Sequence, residues 1–323
     1  DVLQKSAMPQ LANKLDQYAI GKCWGAVSNF MAPLGGLGTI DNRTITAADA
    51  VSLFGVARQY ATEVAVPVSD RVGVWAPKAI PGLNTGYSNL FNVTDGDSRF
   101  KEGKLGRVQG WDSAEDVNMP TLTNGTLNTT AATGASAQGA GNAAPSDRTT
   151  PYSMTIAAPS ATIKVGQIVT IAGLYEVNPL ARDSLGRLKT FRVVGNGTVG
   201  TDIGASDTTM QILPYPVFSG RFKNVHSATD AIPGSSTITS VSGVNGSTYS
   251  QSLLFHPSAF QLVTAKLKKP NVGESGFANN PKTGLSIRYW RASDIRGDQH
   301  ISRFDVLVGA KATYPELAMI VSG

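Results

Sequence analysis

A chain of 323 residues with 41% hydrophobic side chains is long enough for a sizeable core, as two domains or one large one with an insertion. Charged residues are only 16%, glycines number 34, and the net charge of +5 comes from lysines and arginines in runs no longer than two, which tolerates a polyanion without building a dedicated nucleic-acid reader. The single Cys23 excludes an internal disulfide framework and a cysteine zinc site, and no run of 18 apolar residues exists to span a membrane.

From the start, Leu3, Ala7, Leu11, Leu15 and Tyr18 recur at steps of four and three with polar residues between them, which predicts an amphipathic helix over residues 1–20. Pro9 is expected to kink it and Gly21 to stop it. No Met precedes Asp1 and Val2 is already in phase, so a longer chain upstream is expected. Residues 23–38 read as a loop; their glycines, Gly35, Gly36 and Gly38, lack the preceding strand and the Gly-Lys-Ser/Thr of a phosphate loop. Thr46 with Asp49 predicts the cap of a second helix with an apolar face of Ala50, Val51, Phe54, Val56, Ala57 and Ala61, ended by Pro67. Residues 71–77 alternate into a short strand, Val72, Val74 and Ala76 against Gly73 and Trp75, and a short helix or turn follows over 82–91.

Between Gly103 and Pro120, glycines at 103, 106 and 110 predict a strand with a bulge or a tight backbone approach. Asp112, Glu115 and Asp116 lack a histidine or a second acidic cluster nearby and read as solvated loop carboxylates. Residues 121–150 hold almost no charge or large apolar side chain and read as an extended linker that another surface must pin. Beyond it the period becomes two. Segments 153–157, 163–174, 189–194 and 208–213 are β-branched and alternating, which predicts a small barrel or sandwich over residues 150–249. The loop from Leu180 to Leu188 carries Arg182, Asp183 and Arg187 at its tip, candidates for contact with a partner in a chain so poor in charge.

In the last segment, residues 258–264 read as a helical turn with Phe260 and Val263 apolar, and 284–290 and 304–308 as strands joined by 291–303. Arg288, Arg291, Arg296 and Arg303 have Asp294, Asp298 and Asp305 close enough to pair with, whereas Lys266, Lys268 and Lys269 have fewer local partners and are the better candidates to face DNA or another subunit. His226, His256 and His300 stand at no catalytic spacing, so no catalytic, metal or cofactor-binding residue is assigned. His256 before Pro257 reads as packed or capping.

Five passages in order along the chain carry a family resemblance: PQLANKLDQ at Pro9–Gln17, EGKLGRVQGWD at Glu102–Asp112 with MPTLTNGT at Met119–Thr126, KVGQIVTIAGLYEVNP at Lys164–Pro179, SLLFHPSAFQLVT at Ser252–Thr264, and RFDVLVGAKATYPELAMIV at Arg303–Val321. The sequence resembles the major capsid proteins of tailed double-stranded DNA phages, in the branch that carries an inserted β-barrel domain. The resemblance implies an α+β shell fold of the Hong Kong 97 type, with a spine helix over 1–20, peripheral and axial elements in 1–149 and 250–323, and the barrel at 150–249. It implies no enzyme activity and no cofactor. It also implies self-assembly as hexamers and pentamers of an icosahedral shell in the virion, formed in the host cytoplasm, with non-specific contact to packaged DNA. Scaffolding, portal and decoration proteins are the further partners it admits. The alternative class is a secreted or surface β-rich binding or adhesion protein, which would expose Trp24, Trp75, Trp111 and Trp290 on one surface and use sequons such as Asn92, Asn124 and Asn196.

Overall fold

The computed structural model describes residues 2–31, 45, 47–88, 105–127, 131–139, 145, 147–279, 284–294, 296–297 and 299–323. The glycine cluster at 35–38, the Thr46 cap, the end of the expected 82–91 turn, the Asn92 sequon, Gly103 and Asp298 lie outside the described residues. Among those described are three helices, α1 (Val2–Ala26), α2 (Ala47–Glu63) and α3 (Ile80–Ser88), and three sheets. Few helices and many strands make the chain α+β.

Helix α1 runs through Pro9 and past Gly21, where the sequence predicted a stop. The reason is tertiary: Ile20, Cys23 and Trp24 beyond or beside the glycine pack against a buried cluster around Val27, Phe30, Leu253 and Ile320, and that contact outweighs the cost of one glycine. Tyr18, assigned to the apolar face, is exposed. Burial pushes the Cys23 thiol up to about 11, so it sits protonated.

The first sheet contains β1 (Phe30–Met31), β2 (Arg71–Trp75), β3 (Arg107–Val108), β4 (Trp111–Glu115), β5 (Thr121–Thr123), β13 (Thr248–Phe255) and β18 (Ala318–Ser322), numbered in chain order. Its order is β1-β18-β13-β2-β4-β3, with β5 also on β13. Both faces are covered. Met319 and Val321 of β18 meet α2 and α3 through Phe54, Tyr60 and Leu83, and Ala318 and Ile320 meet the cluster beside α1, so the strand reads as an unbroken apolar run. In β2 the buried residues are Arg71, Gly73 and Trp75, with Val72 and Val74 half-buried on the other face. Arg71 is fully inside, donating to the carbonyls of Val66 and Pro67 and lying over Trp111, which satisfies its charge out of water. The bulge expected near Gly110 is a two-residue hairpin turn, Gln109-Gly110, with both φ positive.

The second sheet takes β6 (Ala131–Ala132), β7 (Tyr152–Thr155), β8 (Ile168–Val177), β9 (Ser184–Gly195), β10 (Thr209–Leu213), β11 (Val225–His226) and β12 (Thr237–Ser240) in the order β6-β12-β8-β9-β10-β7, with β11 on β8. Its two ends meet, because the Gly134 N–H donates to Thr155 and the Ala157 N–H to Ala132. Seventeen buried apolar side chains, among them Ile171, Phe191, Met210 and Phe218, fill its interior. The stretch expected to be a linker is thus partly built in: β5 belongs to the first sheet, β6 to the second, and Leu127 and Ala131 to the second core. The chain leaves the first sheet through β5 and returns through β13. These two are paired, Thr123 opposite Thr248 and Thr121 opposite Ser250.

The third sheet is β15-β16-β17-β14, made of β14 (Phe260–Ala265), β15 (Glu274–Asn279), β16 (Ser286–Asp294) and β17 (Gln299–Ala312). The expected helical turn at 258–264 is a single 3-10 turn at Pro257–Ala259 followed by β14, and Val263 is exposed. His256 caps that turn, its ring accepting from the Ser258 N–H. The expected 291–303 connection is mostly strand, and α1 lies against β17.

Candidate functional site

Side chains with chemistry gather at the junction of the second sheet with the helices and on two exposed surfaces. At the junction, β8 and β9 extend further than their apolar pattern suggests, so Glu176 and Arg187 lie on strands as Lys189 does. Lys189 Nζ is 2.9 Å and Arg187 Nε 2.6 Å from the Glu176 carboxylate, Arg187 also pairs with Glu63 of α2, and the Tyr60 hydroxyl of α2 donates to Glu176 at 3.0 Å. The Arg187 guanidinium stands 4.5 Å over the Tyr60 ring. Burial alone would push the Glu176 carboxyl up, but Lys189 and Arg187 outweigh it and hold it below its ordinary value. Burial first and Glu176 second push the Tyr60 hydroxyl well up, so it stays a donor.

A second contact lies beside it. Arg192 of β9 is fully buried, stacks 3.7 Å from the centre of the Trp24 ring of α1 and donates to the Val27 carbonyl. Burial lowers it to about 9, still protonated at neutral pH. Gly166 makes room: at φ +93° it lies where a Cβ would meet Arg192, Leu122 and Trp24 within 3.0–3.3 Å.

Of the three residues expected at an exposed tip, only two are there. The turn is 178–183, built on Asn178, whose side chain accepts from the N–H groups of Leu180 and Ala181. Leu180 is 81% exposed, and Arg182 and Asp183 project with no side-chain partner among the described residues. Arg187 lies a strand turn away with its side chain 18% exposed, inside the junction, so the expected placement at the tip does not hold for it. The signal that was available is the alternation Arg187, Lys189 continuing in phase with the apolar residues of β9.

Lys266, Lys268 and Lys269 are exposed on the connection after β14, and Lys266 lies over the Phe277 ring. Lys268 and Lys269 border an open hollow of about 530 Å3 with Arg288 and Trp290. Arg288 and Arg303 both pair with Asp305, as the sequence suggested, while Arg291 and Arg296 have no ion-pair partner among the described residues. Asp112 and Glu115 are exposed; burial first and then Asp16 raise the Asp116 carboxyl. No group of His, Cys, Asp and Glu able to hold a metal ion occurs among the described residues. His226 is on β11, and the His300 ring is hydrogen-bonded to Ser293.

At the junction the described polar groups hold the second sheet to the helices, while on the open faces the charged side chains stand in water. A sequence model described as "P22 coat protein - gene protein 5" matches residues 26–321, and the chain belongs to that phage coat protein family. No curated protein matches it. Similar solved structures include one described as Mycobacterium phage Che8, 12% identical with a TM-score of 0.39 over 98% of this chain and 61% of that one. The capsid structure of the cyanophage P-SCSP1u is 11% identical with a TM-score of 0.38 over 100% and 66%. The CUS-3 coat protein I-domain is 25% identical with a TM-score of 0.22 over 37% of this chain and 96% of that one. The chain spans less than two thirds of the length of the first two.

Proposed function

We propose that copies of this chain assemble as the major capsid protein of a tailed double-stranded DNA phage, forming an icosahedral shell around the genome in the virion. The family match over residues 26–321 carries the reading. In this reading the subunit has the Hong Kong 97 type of fold, with α1 as spine helix, the first sheet as axial core and the third sheet as peripheral. The second sheet is the inserted barrel, a reading supported by the hydrogen bonds that join its ends, and its boundary moves back from 150 to include Ala131. The turn at Arg182 and Asp183 is a candidate contact between neighbours, joined as hexamers and pentamers. Scaffolding and portal proteins are candidate partners in assembly and decoration proteins on the finished shell. Contact with packaged DNA would be directed at phosphates without reading bases.

The adhesion reading has less support. The Asn124 side chain is buried and bonded to Ser242 and Val244, and Trp75 and Trp111 are core residues while Trp290 lies on another sheet. Electron microscopy of the full-length protein, expressed with its adjacent scaffolding protein and sized by sedimentation, tests the proposal. Closed shells tens of nanometres across are expected on the scale of assembled coats; a persistent monomer across salt and concentration sinks it.

A further inference from the structure

Beside the ion pairs of the junction lies a neutral side chain, Asn29, in the short segment between α1 and β1. Its Nδ2 donates to the carbonyls of Glu316 and Ala318, each at 3.0 Å, and its backbone carbonyl accepts from the Ile320 N–H. Those bonds fix the plane of the carboxamide and turn Oδ1 toward β9, where Lys189 Nζ, 160 residues further along the chain, donates to it at 3.4 Å. The same Nζ is 2.9 Å from Glu176 Oε1. Asn29 is 1%, Glu176 2% and Lys189 6% exposed, so an amine, a carboxamide and a carboxylate meet out of water.

Those three groups are the reactants of an amide exchange. A lysine amine is a nucleophile once it has given up a proton, and a carboxylate in contact with it is the base that takes that proton. A carboxamide carbon is a poor electrophile for an amine in dilute solution, but a nucleophile held against it in one structure acts at an effective concentration on the order of 10⁵ M or more. The reaction has to happen only once per chain. Burial also excludes water, the competing nucleophile. The charges left behind are accounted for as well: the exchange removes the charge of Lys189, while Glu176 keeps Arg187 at 2.6 Å and the Tyr60 hydroxyl at 3.0 Å, so no buried ion is stranded.

We propose that Lys189 and Asn29 form an isopeptide bond within the subunit, with Glu176 as the catalytic base. Nζ passes one proton to Glu176 and attacks Cγ of Asn29, and the Nζ–Cγ bond forms. A second Nζ proton goes to Nδ2 as the Cγ–Nδ2 bond breaks. Ammonia leaves and takes the proton held by Glu176, departing as ammonium, so Glu176 ends ionised as it began. No oxidant, reductant or cofactor enters, and escape of ammonium into water draws the exchange forward. The bond ties β9 of the second sheet to a segment hydrogen-bonded to β18 of the first, a third covalent connection beside the two through which the chain itself passes, at β5 and β13. It does not depend on the shell reading, because both partners belong to one copy.

The test is the intact mass of the full chain, incubated folded and then denatured, followed by a tryptic peptide map. The mass is expected to fall below that of the sequence by one molecule of ammonia. The map is expected to show one branched peptide that carries both Asn29 and Lys189 and is uncut after Lys189. Lys189→Arg keeps the cation without a competent amine, and Glu176→Gln keeps the shape without the base; both are expected to retain the full sequence mass, with circular dichroism as the folding control. Should either variant fail to fold, the map of the unaltered chain still decides. A folded chain that keeps its sequence mass and yields the two peptides separately overturns the proposal. So does a loss of ammonia that maps to a linear peptide, which would be cyclisation of an asparagine on its own backbone, and so does a ladder of linked chains on a denaturing gel, which would place the bond between copies. A joined peptide formed as fully by Glu176→Gln as by the unaltered chain overturns the role given to Glu176. Closed shells built from unlinked chains would leave the shell reading standing and remove this bond.

Discussion

The junction at Glu176 and the open face at Arg288 use the same residue types to opposite ends. At the junction, two cations and one tyrosine converge on one buried carboxylate, and every charge has its partner within the subunit. On the third sheet, three lysines and two arginines find no acid among the described residues of their own subunit, and Asp305 is shared by two arginines. Burial explains the difference. A charge out of water must be paired where it stands, whereas a solvated one can await a partner. Paired charges therefore mark what the subunit has already joined, and unpaired ones stay where water can solvate them.

The largest effect that would break the comparison lies at the junction's centre. Glu176→Gln is expected to cost about 3–5 kcal/mol in urea unfolding, since it strands Lys189 out of water and leaves Arg187 with Glu63. Because the folded carboxyl lies below its ordinary value, its stabilising effect is present above the ordinary carboxylate range and is lost as pH falls through the lowered value. The unaltered chain should thus lose more stability on acidification than Glu176→Gln does, measured between pH 7 and the acid limb. Next, Arg187→Ala is expected to cost about 2 kcal/mol, from lost pairing and lost packing on Tyr60, while Arg182→Ala stays within about 0.5 kcal/mol. Equal effects of the two substitutions would return Arg187 to the surface.

Arg192→Met sharpens the same point at a smaller scale. Arg192 has an aromatic ring and a carbonyl but no carboxylate among the described residues, so a neutral side chain of similar length is expected to leave the melting temperature unchanged or raise it slightly. The smallest effect is at the surface pin between Asp147 and Lys311. Its hydrogen bonds to Lys311 and to Thr149 hold the Asp147 carboxyl down to about 2, so the pin persists below the ordinary aspartate value and is released as pH falls through about 2. Asp147→Asn is expected to change stability at pH 7 by less than about 1 kcal/mol in urea unfolding, because the pair is exposed.

Much of this fold is legible in period and punctuation. Helix α2 with Ala50, Phe54, Ala57 and Ala61, the strands of the second sheet and the His256 cap all follow from local pattern. What is not legible depends on a partner distant in sequence. The burial of Arg71 turns on its finding Val66, Pro67 and Trp111, and α1 outruns Gly21 because Trp24 and Cys23 reach a core made elsewhere. Phe260 and Val263, at helical spacing, lie on a strand because β17 is there to pair with. Among the candidate contacts, Arg182, Asp183 and the three lysines stand at the surface where their polarity suggested. Arg187 does not, because the acids that draw it inward are 11 and 124 residues away.

The pairing of β5 with β13 also bears on how such a chain could come to exist. The ends of the segment between residues 124 and 247 sit on adjacent strands, roughly 5 Å apart, so the whole second sheet hangs from the first as an oversized hairpin loop. A tight turn could bridge the same gap and leave the register of β13 intact. The acquisition of the second sheet by an ancestral chain, or its exchange for another, would then disturb no hydrogen bond of the host sheet. What makes the guest hard to remove is not the tether but Tyr60, Glu63 and Trp24, host residues whose partners it supplies.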